Sequence, residues 1–168
     1  MRFNYFLSVV FFLVLFSCNK EQINEPDDEI LYFNSFENAS DTAGWKGYCF
    51  VDLVDEVPEN GGKKSVRISC GCIGPHTYFD IPSCEKDCYL IVTCQGKGEG
   101  VGGGVALENK TGSIRFGIDG EIHKWQFFQT SDTLFCPAGE KLTMYLIGGG
   151  EAGGTIYLDM LQVEKVEK

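Results

Sequence analysis

Histidine is nearly absent from this chain: His76 and His123 are the two in 168 residues. No Gly-x-Ser-x-Gly, His-Glu-x-x-His or Cys–His signature accompanies them, so the common constellations for nucleophilic or metal-assisted hydrolysis are missing. Carboxylates are plentiful, but most fall in turns or in an acidic N-terminal stretch, where the raised pKa of a general acid is not expected. We therefore expect a protein that is not an enzyme. Basic charge is also scarce, with 14 Lys+Arg against 24 Asp+Glu and a formal net charge of −10. That balance repels phosphate backbones, and nucleic acid is excluded as a partner. Long apolar runs are missing too: Tyr5 to Phe16 is about 12 residues, short of the ~20 that cross a bilayer as a helix. No stretch of useful length carries a 3.6-residue apolar stripe free of glycine, so a helical fold is excluded as well. The glycine clusters at 102–104 and 148–150 lack the following helix and the lysine of a phosphate-binding loop. They read as turns or closely approached strands.

What the N-terminus does contain is an export signal. Arg2 supplies a positive n-region and Tyr5 to Phe16 an h-region. Leu15-Phe16-Ser17-Cys18 resembles a lipobox, which implies cleavage before Cys18 and acylation of its thiol. The expected organisation is a signal peptide over 1–17, a lipidated Cys18 opening a disordered acidic tether over 18–29, and one domain over 30–168. Multiple acyl chains hold more firmly than the single chain that gives marginal anchoring. The membrane, through that anchor, is thus an expected partner, and the expected location is the bacterial cell envelope: the outer membrane, on its surface or its periplasmic side. Cys18-Asn19-Lys20-Glu21 followed by further acids is loosely similar to surface-export signals of the Bacteroidetes. Asp41-Thr42-Ala43 and Asp132-Thr133-Leu134 resemble the O-glycosylation acceptor pattern of envelope proteins in that phylum.

From Ile30 onward, short runs rich in Val, Ile, Tyr, Phe and Thr alternate with Gly, Pro, Asn and Asp clusters. This predicts about ten strands, over 30–36, 48–54, 65–70, 76–81, 88–95, 101–107, 113–118, 124–130, 142–147 and 155–163. Many short strands with glycine-rich turns predict an all-β fold, a β-sandwich rather than a barrel. Leu142 to Ile147 reads as apolar on both faces and so central, whereas Ser113-Ile114-Arg115-Phe116-Gly117 alternates and should have one wet face.

Four segments, in order, resemble the jelly-roll carbohydrate-binding modules of the galactose-binding-like superfold. Phe33-Asn34-Ser35-Phe36-Glu37-Asn38 leads to Gly44-Trp45, Gly61-Gly62-Lys63-Lys64 runs into Ser65-Val66-Arg67-Ile68, His123-Lys124-Trp125 precedes an apolar strand, and Gly154-Thr155-Ile156-Tyr157-Leu158-Asp159 closes the domain. The resemblance spans nearly the whole exported chain and implies a jelly roll, a glycan as ligand and a structural Ca²⁺. The calcium ligands it implies are Glu37 and Asp159, with carbonyls of the turn at Gly61 to Lys63 completing an oxygen shell. An ionised Asp159 among Tyr157, Leu158, Met160 and Leu161 would be costly unless paired or metal-bound. Glycan contacts of such modules are aromatic rings with nearby polar groups, and the candidates are Trp45, Tyr48, Arg67, His76 and Tyr78. Trp125 reads as a packing residue, and no exposed aromatic platform stands out. A second class stays open: a structural or interaction lipoprotein whose sandwich binds an envelope protein.

Seven cysteines follow Cys18, and an oxidising envelope favours disulfides. Cys70 and Cys72 would point the same way from one strand, and Cys84 or Cys88 could serve as their partners. The C-x-C and C-x₃-C spacings do not match a common zinc knuckle, so disulfides or buried thiols are expected rather than zinc. An odd number leaves at least one cysteine unpaired.

Overall fold

In the computed structural model, residues 29–71, 76–149 and 153–167 are described. The expected signal peptide, Cys18, almost all of the tether, and Cys72 lie outside the described residues. Period-two alternation dominates the rest. Ser113–Ile118 buries every second side chain, as its sequence predicts, and Leu142–Gly148 does the same with Leu142, Met144 and Leu146 facing inward.

Among the described residues the strands are β1 (Ile30–Asn34), β2 (Lys46–Gly47), β3 (Phe50–Val54), β4 (Ser65–Cys70), β5 (His76–Ile81), β6 (Cys88–Gly100), β7 (Gly103–Glu108), β8 (Ser113–Ile118), β9 (Gln126–Gln129), β10 (Leu134–Cys136), β11 (Leu142–Gly148) and β12 (Gly154–Val166). The pieces beyond the expected ten are the short edge strands β2 and β10, too brief to show a periodicity. Strand β6 runs on past Gln95 through alternating glycines. There a Cβ on Gly98 would overlap the carbonyl of Asp119, so only glycine lets the β8–β9 connection lie against the strand.

Two antiparallel sheets pack face to face as a jelly-roll sandwich. One has the order β2-β5-β11-β7-β8. In the other, β6 and β12 form the spine: β9 and β10 pair with β6, β4 and then β1 with β12, and β3 closes the edge on β4. Between the sheets sit Val66, Ile68, Leu90, Val92, Ile156 and Leu158 from the spine sheet, all fully buried. They meet Phe79, Val105, Leu107, Leu142, Met144 and Leu146 from the other. Burying each such side chain stabilises the fold by about 1.5–3 kcal/mol. Phe36 is buried as well, and the turn after β1 holds its backbone at φ 55°.

Cys49 and Cys70 form a disulfide across the start of β3 and the end of β4. This corrects the expected pairing of Cys70 with Cys84 or Cys88. Those two lie at the β5–β6 connection, where they are free thiols together with Cys136. Sequence separation concealed the true pair: Phe50 opposes Ser69 in the ladder, so Cys49 falls opposite Cys70.

Candidate functional site

The outward face of the five-stranded sheet carries three cross-strand rows. Ladder register aligns Lys46, Tyr78, Tyr145, Ala106 and Arg115 in the first row. His76, Ile147, Gly104 and Gly117 form the second, and Asp80, Thr143, Glu108 and Ser113 the third. On one half of this face three rings meet. His76 and Tyr145 are 5.5 Å apart edge to face, Tyr78 and Tyr145 5.7 Å apart and tilted, and His76 and Tyr78 6.1 Å apart. All three rings are half-buried, each keeping part of its surface to solvent. On the other half the side chains shrink to Gly104, Ala106 and Gly117, and Gly104 and Gly117 floor a depression of about 340 Å³ edged by Arg115 and Ile147.

Polar groups border the rings. Asp80 accepts a hydrogen bond from Thr143 Oγ1 at 3.1 Å and pairs with Lys141 Nζ at 3.0 Å. The Lys141 ammonium holds the Asp80 carboxyl below the ordinary carboxylate range, so it stays an ionised acceptor. At the sheet edge the Thr77 hydroxyl donates to Lys46 O at 2.7 Å and ties β2 down. A second cavity of about 380 Å³ opens there between Tyr32, Asn34, Trp45, Lys46, Tyr78 and Asp80.

The expected binding residues are split by this geometry. His76 and Tyr78 stand together on the outward face. Trp45 lines the edge cavity but is chiefly a packing residue, stacked on Phe79 at 4.5 Å and edge-on to Phe36 at 5.9 Å. Tyr48 is 73% exposed beside the face, its N–H donating to His76 O at 3.3 Å. Arg67 is not brought there. It lies on the outward face of the opposite sheet, paired with Asp52 at 2.7 Å, because β4 belongs to the spine sheet. Tyr145 and Arg115 were missed. The apolar run of β11 read as buried on both faces, whereas one face is core and the other is this open surface; the alternating polar residues of β8 were the available signal for Arg115. Trp125 is half-buried rather than core, beside Pro58, Asn60 and Gln95.

The implied metal ligands do converge. Asp159 sits at a bulge in β12, where its neighbour strand changes from β4 to β1, and it is 0% exposed. Its Oδ1 accepts the Met160 N–H at 2.7 Å, while Oδ2 is buried with no hydrogen-bond partner. Both oxygens of Glu37 accept the Lys63 N–H, at 3.0 and 2.9 Å. A Cβ at Gly61 would overlap Asp159 Oδ2 and one at Gly62 the Glu37 carboxylate, so the 61–63 turn is cradled against both acids. Phe36 and Met160, the two non-glycine residues with left-handed φ among the described residues (55° and 51°), are the immediate neighbours of Glu37 and Asp159. Backbone strain of that kind, of order 1–3 kcal/mol each, persists where the surroundings fix a functional geometry. Burial, with the Glu37 charge nearby, raises the Asp159 carboxyl to about 6. An orphaned buried carboxylate oxygen beside a second carboxylate and a tight turn fits a hard cation held by oxygen.

No protein-family model matches the chain, and no curated protein matches it. Solved structures do. The xylan-binding CBM22-1 domain of Paenibacillus barcinonensis Xyn10C superposes with a TM-score of 0.56 at 19% identity, over 83% of this chain and 96% of that one. The CBM22-1–GH10 modules of Clostridium thermocellum xylanase 10B, complexed with xylohexaose, give 0.57 at 12% identity, over 83% of this chain and 29% of that one. The enzymatically active domain of tailspike protein 4 of bacteriophage CBA120 gives 0.55 at 17% identity, over 79% and 20%. At these identities the likeness establishes the jelly-roll fold.

Proposed function

We propose that the chain is a non-catalytic carbohydrate-binding module, that its site is the outward face of the five-stranded sheet, and that an acylated Cys18 carries it on a bacterial envelope membrane. The observation that carries the first claim is the grouping of His76, Tyr78 and Tyr145 beside a trough floored by Gly104 and Gly117. Rings offer flat apolar surface to the C–H faces of sugars, and the small residues leave room for a chain to cross the sheet. Asp80 and Arg115 stand where hydroxyls or an acidic substituent would lie. Xylan, for which the similar CBM22-1 domain of Paenibacillus barcinonensis Xyn10C is named, is the first ligand class to try. Glu37, Asp159 and the turn at 61–63 would hold a calcium ion that stiffens the β1–β12 junction; Asp159 belongs to β12 of the spine sheet, not to the sheet that carries the ring cluster.

Catalysis finds little support. His76 belongs to the ring cluster, and His123 is an exposed loop residue 3.9 Å from Glu121. Affinity electrophoresis with calcium present, across xylans, galactans, β-glucans and host glycans, tests the proposal. Retardation by at least one polysaccharide, lost in Tyr145→Ala, is expected. Uniform migration with all of them overturns it. For the anchor, mass spectrometry of the native N-terminal peptide should find acyl chains on Cys18, and an unmodified residue there refutes the placement.

A further inference from the structure

Three thiols converge away from the glycan face. Cys84 lies in the β5–β6 connection, Cys88 opens β6 and Cys136 ends β10, directly opposite Cys88 in the ladder. Their sulfurs all lie within 4.8 Å of one another. Cys84 and Cys136 are buried at 1% and 0% exposure, and Cys88 is half-buried. The two loops that present them are cross-tied: the Gly139 N–H donates to Cys84 O at 2.8 Å, and the Ala138 N–H donates to Asp87 Oδ1 at 2.9 Å. A backbone carbonyl and the Asp87 carboxylate thus tie the two loops together beside the trio.

We propose that Cys84, Cys88 and Cys136 bind one thiophilic metal ion, Zn²⁺, as a trithiolate site. A Zn–S bond of about 2.3 Å in tetrahedral geometry sets sulfurs about 3.8 Å apart. Each pair within 4.8 Å thus needs to close by about 1 Å or less. A disulfide would use two of the three and strand the third, whereas one metal ion satisfies all. The same chain joins Cys49 to Cys70 and leaves this trio as thiols. The fourth position opens at Cys88 into a surface depression of about 280 Å³ lined by Glu85, Lys86, Asp87 and Lys165. Water or a neighbouring carboxylate can enter there, and the two lysines offset the net negative charge of a zinc trithiolate. Glu140 faces the cluster from the turn after β10 and adds negative charge beside Cys136. In the metal-free protein, burial raises the Cys84 and Cys136 thiols, so they are protonated and slow to oxidise. On binding, each of the three thiols releases its proton to solvent as its sulfur takes up the metal.

The test uses the purified chain, reduced and stripped of metal, with calcium in excess so that oxygen sites are filled. Zn²⁺ is titrated against a chromophoric chelator, and Co²⁺ substitution is followed by its thiolate charge-transfer absorption. One zinc per chain and a cobalt–thiolate spectrum are expected. Cys88→Ser, at a half-exposed position that leaves the core intact, should abolish both, while Cys94→Ser, a buried thiol outside the trio, should leave both unchanged. Three results overturn the proposal: no stoichiometric zinc on the folded reduced chain, equal binding by Cys88→Ser, or a disulfide within the trio in protein isolated from its native cells.

Discussion

Replacing Asp159 by asparagine should stabilise the protein in chelator, and calcium, by raising the parent alone, should remove half or more of that advantage. The reasoning starts from burial. Asp159 is 0% exposed, its Oδ2 has no partner, and its carboxyl is raised to about 6 against an ordinary 3.8. For an acid with a raised folded-state pKa, the unfolded chain binds fewer protons than the native one between the two values. Stability is then full below about 4 and falls as pH rises through about 6. A gap of about two pKa units corresponds to about 3 kcal/mol lost by neutral pH in metal-free protein. The amide keeps the acceptor for the Met160 N–H and offers its Nδ2 toward Glu37, so the Asp159→Asn variant escapes that loss.

Calcium narrows the gap. Extracellular modules bind the ion with dissociation constants of about 10⁻⁴–10⁻³ M. At about 10 mM calcium the linkage relation then gives the parent about 1.5–3 kcal/mol, and the Asp159→Asn variant receives little of it. For a domain of this size that is a rise of roughly 4–10 °C in Tm. Differential scanning calorimetry compares both proteins in EDTA and in calcium, at pH 5 and 7.5. At pH 5 calcium must displace a proton from Asp159, so its apparent affinity falls about tenfold. A parent insensitive to calcium, with an asparagine variant less stable in EDTA, would show the buried acid to be a packing residue and would sink the argument.

Other outcomes follow from the same geometry. Tyr78→Ala and Tyr145→Ala should each weaken glycan binding by roughly 30-fold, about 2 kcal/mol, while Arg67→Ala on the opposite sheet leaves it unchanged; affinity electrophoresis compares the three. Gly62→Ala drives a methyl into the Glu37 carboxylate, so it should abolish the calcium-dependent rise in Tm. Cys49→Ser opens a loop of sequence separation 21 and should cost about 3 kcal/mol by the chain-entropy relation, measured by urea denaturation of the oxidised parent and the variant.

The sandwich could be read from the chain because alternation and turn residues are local properties. Ser65–Cys70, His76–Ile81 and Ser113–Ile118 are found with the boundaries their patterns predict. The acids Glu37 and Asp159 were reachable by resemblance, since each sits in a short motif. Partnerships across sheets were not. Nothing local shows that Tyr145 opposes Tyr78 or that Cys136 opposes Cys88, because both depend on which strands become neighbours and in what register. Arg67 misled for the same reason: it alternates as a surface residue should, and alternation does not say which of two outward faces it occupies. Where the chain crosses from one sheet to the other, side-chain type stops predicting position.

The two outward faces also explain where a ligand can fit. On the spine sheet, Lys97, Tyr157, Arg67 and Asp52 form a row much like the Lys46–Tyr78–Tyr145–Arg115 row opposite. There the tyrosine is already covered: Lys97 lies over its ring at 4.1 Å and pairs with Glu56, and Arg67 is held by Asp52. On the five-stranded sheet the position beside Tyr145 is Ala106, and the next row has Gly104 and Gly117. Binding capacity on this argument comes from missing side chains as much as from rings. Gly117→Phe tests it by adding bulk. Gly117 is exposed on β8 and a Cβ there meets nothing nearer than Gly103 O at 3.8 Å, so the substitution fits the strand without strain. Its ring would fill the trough beside Arg115 and Ile147. Glycan affinity should fall at least about tenfold, roughly 1.4 kcal/mol, with Tm and calcium response unchanged. If Gly117→Phe binds as well as the parent, the ligand does not cross this trough, and the aromatic cluster must act through the edge cavity at Trp45 instead.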